Sequence, residues 1–215
     1  MPDLESSSRF CKGTEIRFLL VISLVLSAIF LEGSPTAVAQ SLSQDNSTIA
    51  LRVPDTELVD QNGHKVHLYS DLVRGRKSVV ISTMFTTCGT ICPMVGLRIS
   101  GLERSLGACN HDEYGLISIS IDPMADTPDQ LQKWGKKFGA GRCWTLLTGS
   151  KSDVDAVLRA LHLLPADKLS HSPSAVIGHD GASDWTLCNV LTSQEPLLRI
   201  VRQNTKASST KEPTP

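Results

Sequence analysis

The chain lacks an excess of charge of either sign. Its 21 Lys and Arg stand against 22 Asp and Glu, and residues 40–215 carry 18 of each. That balance argues against nucleic acid or another polyanion as a partner, because such binding draws on surplus Lys and Arg. Long apolar runs are missing too. The most apolar stretch, Phe18 to Leu31, has 14 residues and ends at Glu32, short of the roughly 20 that a membrane span needs. Followed by Ala37-Val38-Ala39 ahead of Gln40, it reads as a signal peptide over residues 1–39, and hence as export to the periplasm or another extracytoplasmic space. Before Phe18, Arg9, Lys12 and Arg17 are balanced by Asp3, Glu5 and Glu15. An uncleaved N-terminal membrane anchor is therefore the alternative, and membrane contact is expected only in that case. The residue directly after Ala39 is not a cysteine that could carry a lipid, there is no internal repeat, and no second C-x-x-C or paired histidines occur. A closed four-ligand zinc cage is disfavoured by that last absence.

Five cysteines remain beyond residue 39: Cys88, Cys92, Cys109, Cys143 and Cys188. A chain of this length buries a real core without disulfides, so the cysteines need another explanation. An odd number in an exported protein leaves at least one thiol unpaired. Cys109 and Cys143 each lie shortly before an expected strand. If those strands are parallel neighbours, both cysteines fall at one end of the sheet, where a disulfide between them is expected; two unrelated buried cysteines are the alternative. Cys188 alternates with apolar residues on a late strand and is expected in the core.

Residues 40–54 read as a flexible linker and residues 203–215 as a disordered tail, both rich in polar residues without periodicity. Between them, over 55–202, strands and helices alternate. Glu57 to Leu68 carries the turn signal Asn62-Gly63, and Ser78 to Phe85 is a β-branched run of the kind buried on both faces. Val95, Ile99, Leu102 and Leu106 follow helical spacing. Leu116 to Ile121 is the next strand, and Thr127-Pro128-Asp129-Gln130 opens a helix as a capping box. Trp144 to Leu147 is a strand, Ser152 with Asp155 starts a helix, and Ser174 to Ile177 and Trp185 to Leu191 flank the turn at Asp180-Gly181. A last helix fits Glu195 to Arg202. Such alternation predicts an α/β domain whose parallel-rich sheet is covered on both faces and carries its site at the C-terminal strand ends.

At one such end lies Thr86-Thr87-Cys88-Gly89-Thr90-Ile91-Cys92-Pro93. With Pro93 taken as the first helical residue, Cys92 becomes the N-cap and Gly89 to Ile91 a loop. A thiol at a helix N-terminus is expected to ionise readily, and the thiolate is the form that ligates metals or attacks disulfides. Asp122, at the end of the next strand, shares this rim either as a turn cap or as a group tuning the thiols. His64, His67, His111, His162 and His179 each appear without a second ligand at metal spacing. Trp134, Trp144 and Trp185 are expected in or beside the core.

The C-x-x-x-C pair, Ser118-Ile119-Ser120-Ile121-Asp122-Pro123, Asp126-Thr127-Pro128, Leu147-Thr148-Gly149 and His171-Ser172, in this order, resemble the Sco/SenC family from about Asp55 to Arg199. The resemblance implies a thioredoxin-like fold, a central mixed sheet with helices on both faces and an N-terminal hairpin. It further implies a copper site, for Cu(I) or Cu(II), made by Cys88, Cys92 and His171, and a role in assembling the binuclear copper centre of cytochrome c oxidase. The expected partners are a copper-accepting protein such as an oxidase subunit, and a thiol reductant. The donor set agrees independently, since soft thiolates select Cu(I) and imidazole also accepts Cu(II). Where family members usually carry Pro and Asp after the first cysteine, this chain has Gly89 and Thr90, and Ser170 replaces an acidic residue before the histidine.

A metallochaperone is thus the first reading. A thiol–disulfide oxidoreductase is the alternative, with Cys88 and Cys92 as its redox pair, His171 assisting proton transfer, and a copper-acceptor protein as its substrate. A peroxidase of the peroxiredoxin type is disfavoured, because Phe85 and Ile81 stand where its threonine and proline should be.

Overall fold

The computed structural model describes residues 46–167 and 172–209, so the expected signal segment and His171 lie outside the described residues. At the centre is β4 (Ser78–Met84), which is buried along its whole length. Its β-branched residues suit a strand covered on both faces. β5 (Tyr114–Ser120), equally buried, pairs parallel to β4, and β6 (Trp144–Thr148) pairs parallel to β5. On the other side of β4 lies the antiparallel β7 (Ser174–Gly178), hydrogen-bonded to β8 (Asp184–Asn189). β1 (Ser47–Ala50), β2 (Glu57–Asp60) and β3 (Lys65–His67) complete a sheet of order β1-β8-β7-β4-β5-β6-β2-β3.

Among the described residues five helices accompany these strands: α1 (Leu68–Leu72), α2 (Ile91–Leu106), α3 (Pro128–Phe138), α4 (Lys151–Ala160) and α5 (Gln194–Ser209). Thr127 caps α3 by accepting from the Gln130 N–H at 3.4 Å, and Gly139, left-handed at φ 71°, ends it. The cap of α4 is Ser150, two residues before the expected Ser152, and its hydroxyl accepts from the Asp153 N–H. α2 packs against α3 and α5, while α4 packs on β2. Trp134 meets Phe138 at 4.5 Å and Trp144 edge-on at 5.8 Å between ring centroids, and all three are core residues, as is Trp185. The buried hydroxyls of Ser82 and Ser118 lie 2.9 Å apart, and the Trp144 indole N–H donates to Ser118. Polar atoms in the middle of the sheet thus satisfy one another.

The two ends of the domain differ from expectation. Residues 47–50 form an edge strand on β8, and Leu51 and Val53 are buried behind it, so the linker expected over 40–54 is structured from Ser47 onward. The tail expected from residue 203 continues α5 to Ser209; Val201 is buried and the Asn204 amide donates to the Gly178 carbonyl.

Gly178 closes β7 against the Trp185 ring, into which a Cβ at this position would run directly. The indole is buried and cannot step aside. Gly178→Ala is expected to destabilise the domain by about 2 kcal/mol through overpacking, read as a lowered urea midpoint; an unchanged midpoint would contradict this contact.

Candidate metal centre

β4 delivers the chain to the rim. The Ile121 N–H donates to the Met84 carbonyl at 3.0 Å, extending the β4–β5 ladder, and the Cys88 N–H then turns back to the Phe85 carbonyl. Asp126 fixes the intervening loop. Fully buried, its carboxylate accepts from the Thr86 N–H at 3.1 Å, from the Thr86 hydroxyl, and from the Ser120 hydroxyl at 2.6 Å. A segment 40 residues away in sequence therefore clamps the turn that carries the first cysteine. Only the tripeptide Asp126-Thr127-Pro128 pointed to it, and nothing in that pattern says that the carboxylate faces inward.

The two cysteines are unlike. The helix begins at Ile91 with Thr90 as N-cap, so Cys92 is its second residue rather than its cap, and Pro93 its third. Proline is accepted there because none of the first four N–H groups of a helix has an intrahelical partner. Thr90 offers no side-chain cap; instead the Cys92 N–H donates to the Cys88 sulfur at 3.3 Å. The helix terminus therefore favours charge on Cys88, and the expectation of a thiolate-prone Cys92 is reversed. Burial alone would push the Cys88 thiol up, but the N–H groups of Cys92 and Thr90, the Cys92 side chain and the Thr90 hydroxyl at 3.7 Å together bring it down to about 7. Burial pushes the Cys92 thiol up to about 12, and the neighbouring Cys88 adds to the rise. Cys88 is half-buried and Cys92 wholly so.

Thr90 stands where an Asp is usual in the family that the sequence resembles, and the difference has a physical consequence. A hydroxyl can donate to the thiolate, whereas a carboxylate can only repel it. Asp122, at the same strand end, contributes its N–H to the Ser120 hydroxyl and its carbonyl to the N–H groups of Ala125 and Asp126. With these bonds its backbone closes the turn at the strand end. Cys188 is a core residue, as expected, with its thiol pushed up to about 12 by burial.

Cys109 and Cys143 form the expected disulfide, with their Cα atoms 5.5 Å apart, at the N-terminal ends of the parallel β5 and β6. His111, expected to stand apart from other ligands, lies beside this pair. The short spacing Cys109-Asn110-His111 was a signal for it, but Cys143 joins only through the sheet.

A family model described as SCO1/SenC matches residues 45–204. The chain belongs to the SCO1/SenC family. A relative from Stutzerimonas stutzeri, named as a candidate copper-binding protein, is 30% identical over 178 residues, which cover 77% of this chain and 83% of the relative. Among solved structures, BsSco, described as a Sco-family cytochrome c oxidase assembly protein with a disulfide switch, matches with a TM-score of 0.63 at 23% identity, over 74% of this chain and 96% of its own. Bradyrhizobium japonicum ScoI with copper bound matches with a TM-score of 0.57 at 22% identity, over 69% and 96%. The domain has the thioredoxin-like fold of these family members, with Cys88 and Cys92 at the strand-to-helix junction of that fold.

Proposed function

We propose that this family member is an exported copper-binding protein that receives copper on Cys88, Cys92 and His171 and passes it to an acceptor such as a cytochrome c oxidase subunit. The observation that carries the reading is the thiol pair itself: a half-buried Cys88 brought down to about 7 beside a buried Cys92, at the end of β4. Copper is the cargo. At neutral pH about half of Cys88 is already the thiolate that captures a soft cation, while Cys92 gives up its proton as the metal arrives. Affinity should therefore fall as pH falls even above 7, where a proton must leave Cys92, and fall more steeply below 7, where Cys88 is protonated too. The stretch ending in Ala37-Val38-Ala39 supports export; among the described residues no helix is long and apolar enough to cross a membrane. Met94 and Leu97 on the first turns of α2, and Met124 after β5, are exposed apolar groups at the same end of the sheet, suited to meeting an acceptor.

The asymmetry of the thiols also favours a second reading, a thiol–disulfide oxidoreductase. Cys88 would attack a disulfide and the protected Cys92 would resolve the mixed species, with His171 assisting proton transfer. Anaerobic Cu(I) titration of the reduced full chain against a competing chelator separates the two. Loss of tight binding in each of Cys88→Ser, Cys92→Ser and His171→Ala supports copper carriage. Binding indifferent to His171, with disulfide-reducing activity lost in both cysteine variants, would transfer the assignment to redox chemistry.

A further inference from the structure

The opposite end of the parallel strands holds a second sulfur and imidazole group. Cys109 follows α2, His111 lies in the turn before β5, and Cys143 immediately precedes β6. Leu116 of β5 pairs with Trp144 of β6, so these residues gather at the N-terminal strand ends. Cys88 and Cys92 lie beyond the C-terminal end, about 20 Å away along a seven-residue strand. His111 turns an edge of its ring to the disulfide, Nε2 at 3.6 Å from Cys109 Sγ and Nδ1 at 4.0 Å from Cys143 Sγ. One ligand atom from each residue lies within 4.8 Å of the others; His111 is exposed, Cys109 half-buried and Cys143 buried.

We propose that reduction of the Cys109–Cys143 disulfide by a dithiol opens a second Cu(I) site, with Cys109, Cys143 and His111 as its ligands. A reductant thiolate attacks the accessible Cys109 sulfur, the S–S bond breaks, and Cys143 leaves as a thiolate that takes a proton. The second thiol of the reductant closes on the mixed disulfide and releases Cys109. Two electrons have passed, the reductant is now a disulfide, and Cys109 and Cys143 are thiols. Cu(I) then replaces the two thiol protons, which go to solvent, with no change in the oxidation state of the metal.

Three features favour this site. First, its two cysteine-bearing segments are held by bonds other than the disulfide. The buried Glu103 carboxylate accepts from the N–H groups of Gly141 at 2.8 Å and Cys143 at 3.0 Å. On the other segment the Tyr114 hydroxyl donates to the Gly107 carbonyl, and the Asn110 carbonyl accepts from the N–H groups of Glu113 and Tyr114. Reduction therefore leaves the sulfurs near each other. Second, two thiolates and an imidazole form a soft three-donor set that suits Cu(I), whereas zinc would need a fourth ligand. Third, two thiolates around a monovalent ion leave one net negative charge, and the Arg76 guanidinium lies alongside. Its Nη1 is within 3.3 Å of His111 Nδ1, 3.2 Å of the His111 carbonyl and 3.1 Å of the Tyr114 carbonyl. With two hydrogens for three acceptors, Nη1 can release the ring nitrogen and keep both carbonyls.

The site shares no residue with the Cys88 and Cys92 pair, and the test removes that pair. The full chain carrying Cys88→Ser and Cys92→Ser is reduced with excess dithiothreitol, desalted under nitrogen and titrated with Cu(I) against a chromophoric chelator. The reduced protein is expected to hold about one equivalent and the unreduced protein essentially none. Adding Cys109→Ser should abolish binding. His111→Asn, which leaves the disulfide and fold intact by circular dichroism, should weaken it at least about tenfold. Chelator competition no better in the reduced protein than in the unreduced one, or unchanged by His111→Asn, would overturn the proposal.

Discussion

In the reduced protein at pH 7, iodoacetamide is expected to alkylate Cys88 about a hundredfold or more faster than Cys92. With one thiol near 7 and the other near 12, about half of Cys88 but only about one Cys92 in 10⁵ is thiolate at that pH. The weaker nucleophilicity of the more acidic thiolate offsets part of this gap, by about two to two and a half powers of ten. Burial of Cys92 widens it again. The Cys88 rate should rise through pH 7 and level off by pH 9, because its proton is then gone. Mass spectrometry of the modified peptides across pH 6 to 9 gives both profiles. Equal rates, or a Cys88 rate still climbing tenfold per pH unit at the upper end, would refute the assigned roles. Thr90→Asp supplies the internal control: a carboxylate in place of the hydroxyl should displace the Cys88 profile to higher pH, since it removes a donor and adds a like charge.

Asp126→Ala is expected to cost about 3 kcal/mol of stability, because it takes away the carboxylate to which the part-buried Thr86 N–H and the buried Ser120 hydroxyl donate. Hydrogen bonds to an ionised acceptor are the stronger kind, and three converge on this carboxylate. The loss is read as the change in unfolding free energy in urea for the reduced protein. Ser120→Ala, which removes one donor to Asp126 and the acceptor of the Asp122 N–H but leaves both Thr86 donors, should cost less. A loss below about 1 kcal/mol for Asp126→Ala would mean that water replaces the carboxylate and that the clamp is not what fixes the loop. A loosened loop should also reach the cysteines: after burial and Cys88, the charge of Asp126 contributes to holding the Cys92 thiol protonated, while a backbone hydrogen bond with Phe85 works the other way. Alkylation of Cys92 should accelerate in the variant while the fold is retained.

Elements whose signals are local could be read from the chain alone. The β-branched run Ser78 to Met84, the Thr127-Pro128 cap and the Asp180-Gly181 turn each specify a conformation through residues within a few positions of one another, and each appears where those residues put it. The placement of Cys88 and Cys92 at a strand-to-helix junction was legible for the same reason, and so was the disulfide of Cys109 with Cys143 once their strands were taken as parallel neighbours. The character of the functional groups emerged with the assembled fold. Which thiol ionises depends on how deeply each is buried and on which sulfur receives the helix N–H, and a one-residue shift of the helix start reversed that assignment. The Asp126 clamp on Thr86, the meeting of His111 with Cys143, and the docking of Ser47–Ala50 on β8 all join residues distant in the chain. Local pattern carries no information about such contacts, because burial and partner geometry exist only after the sheet has assembled.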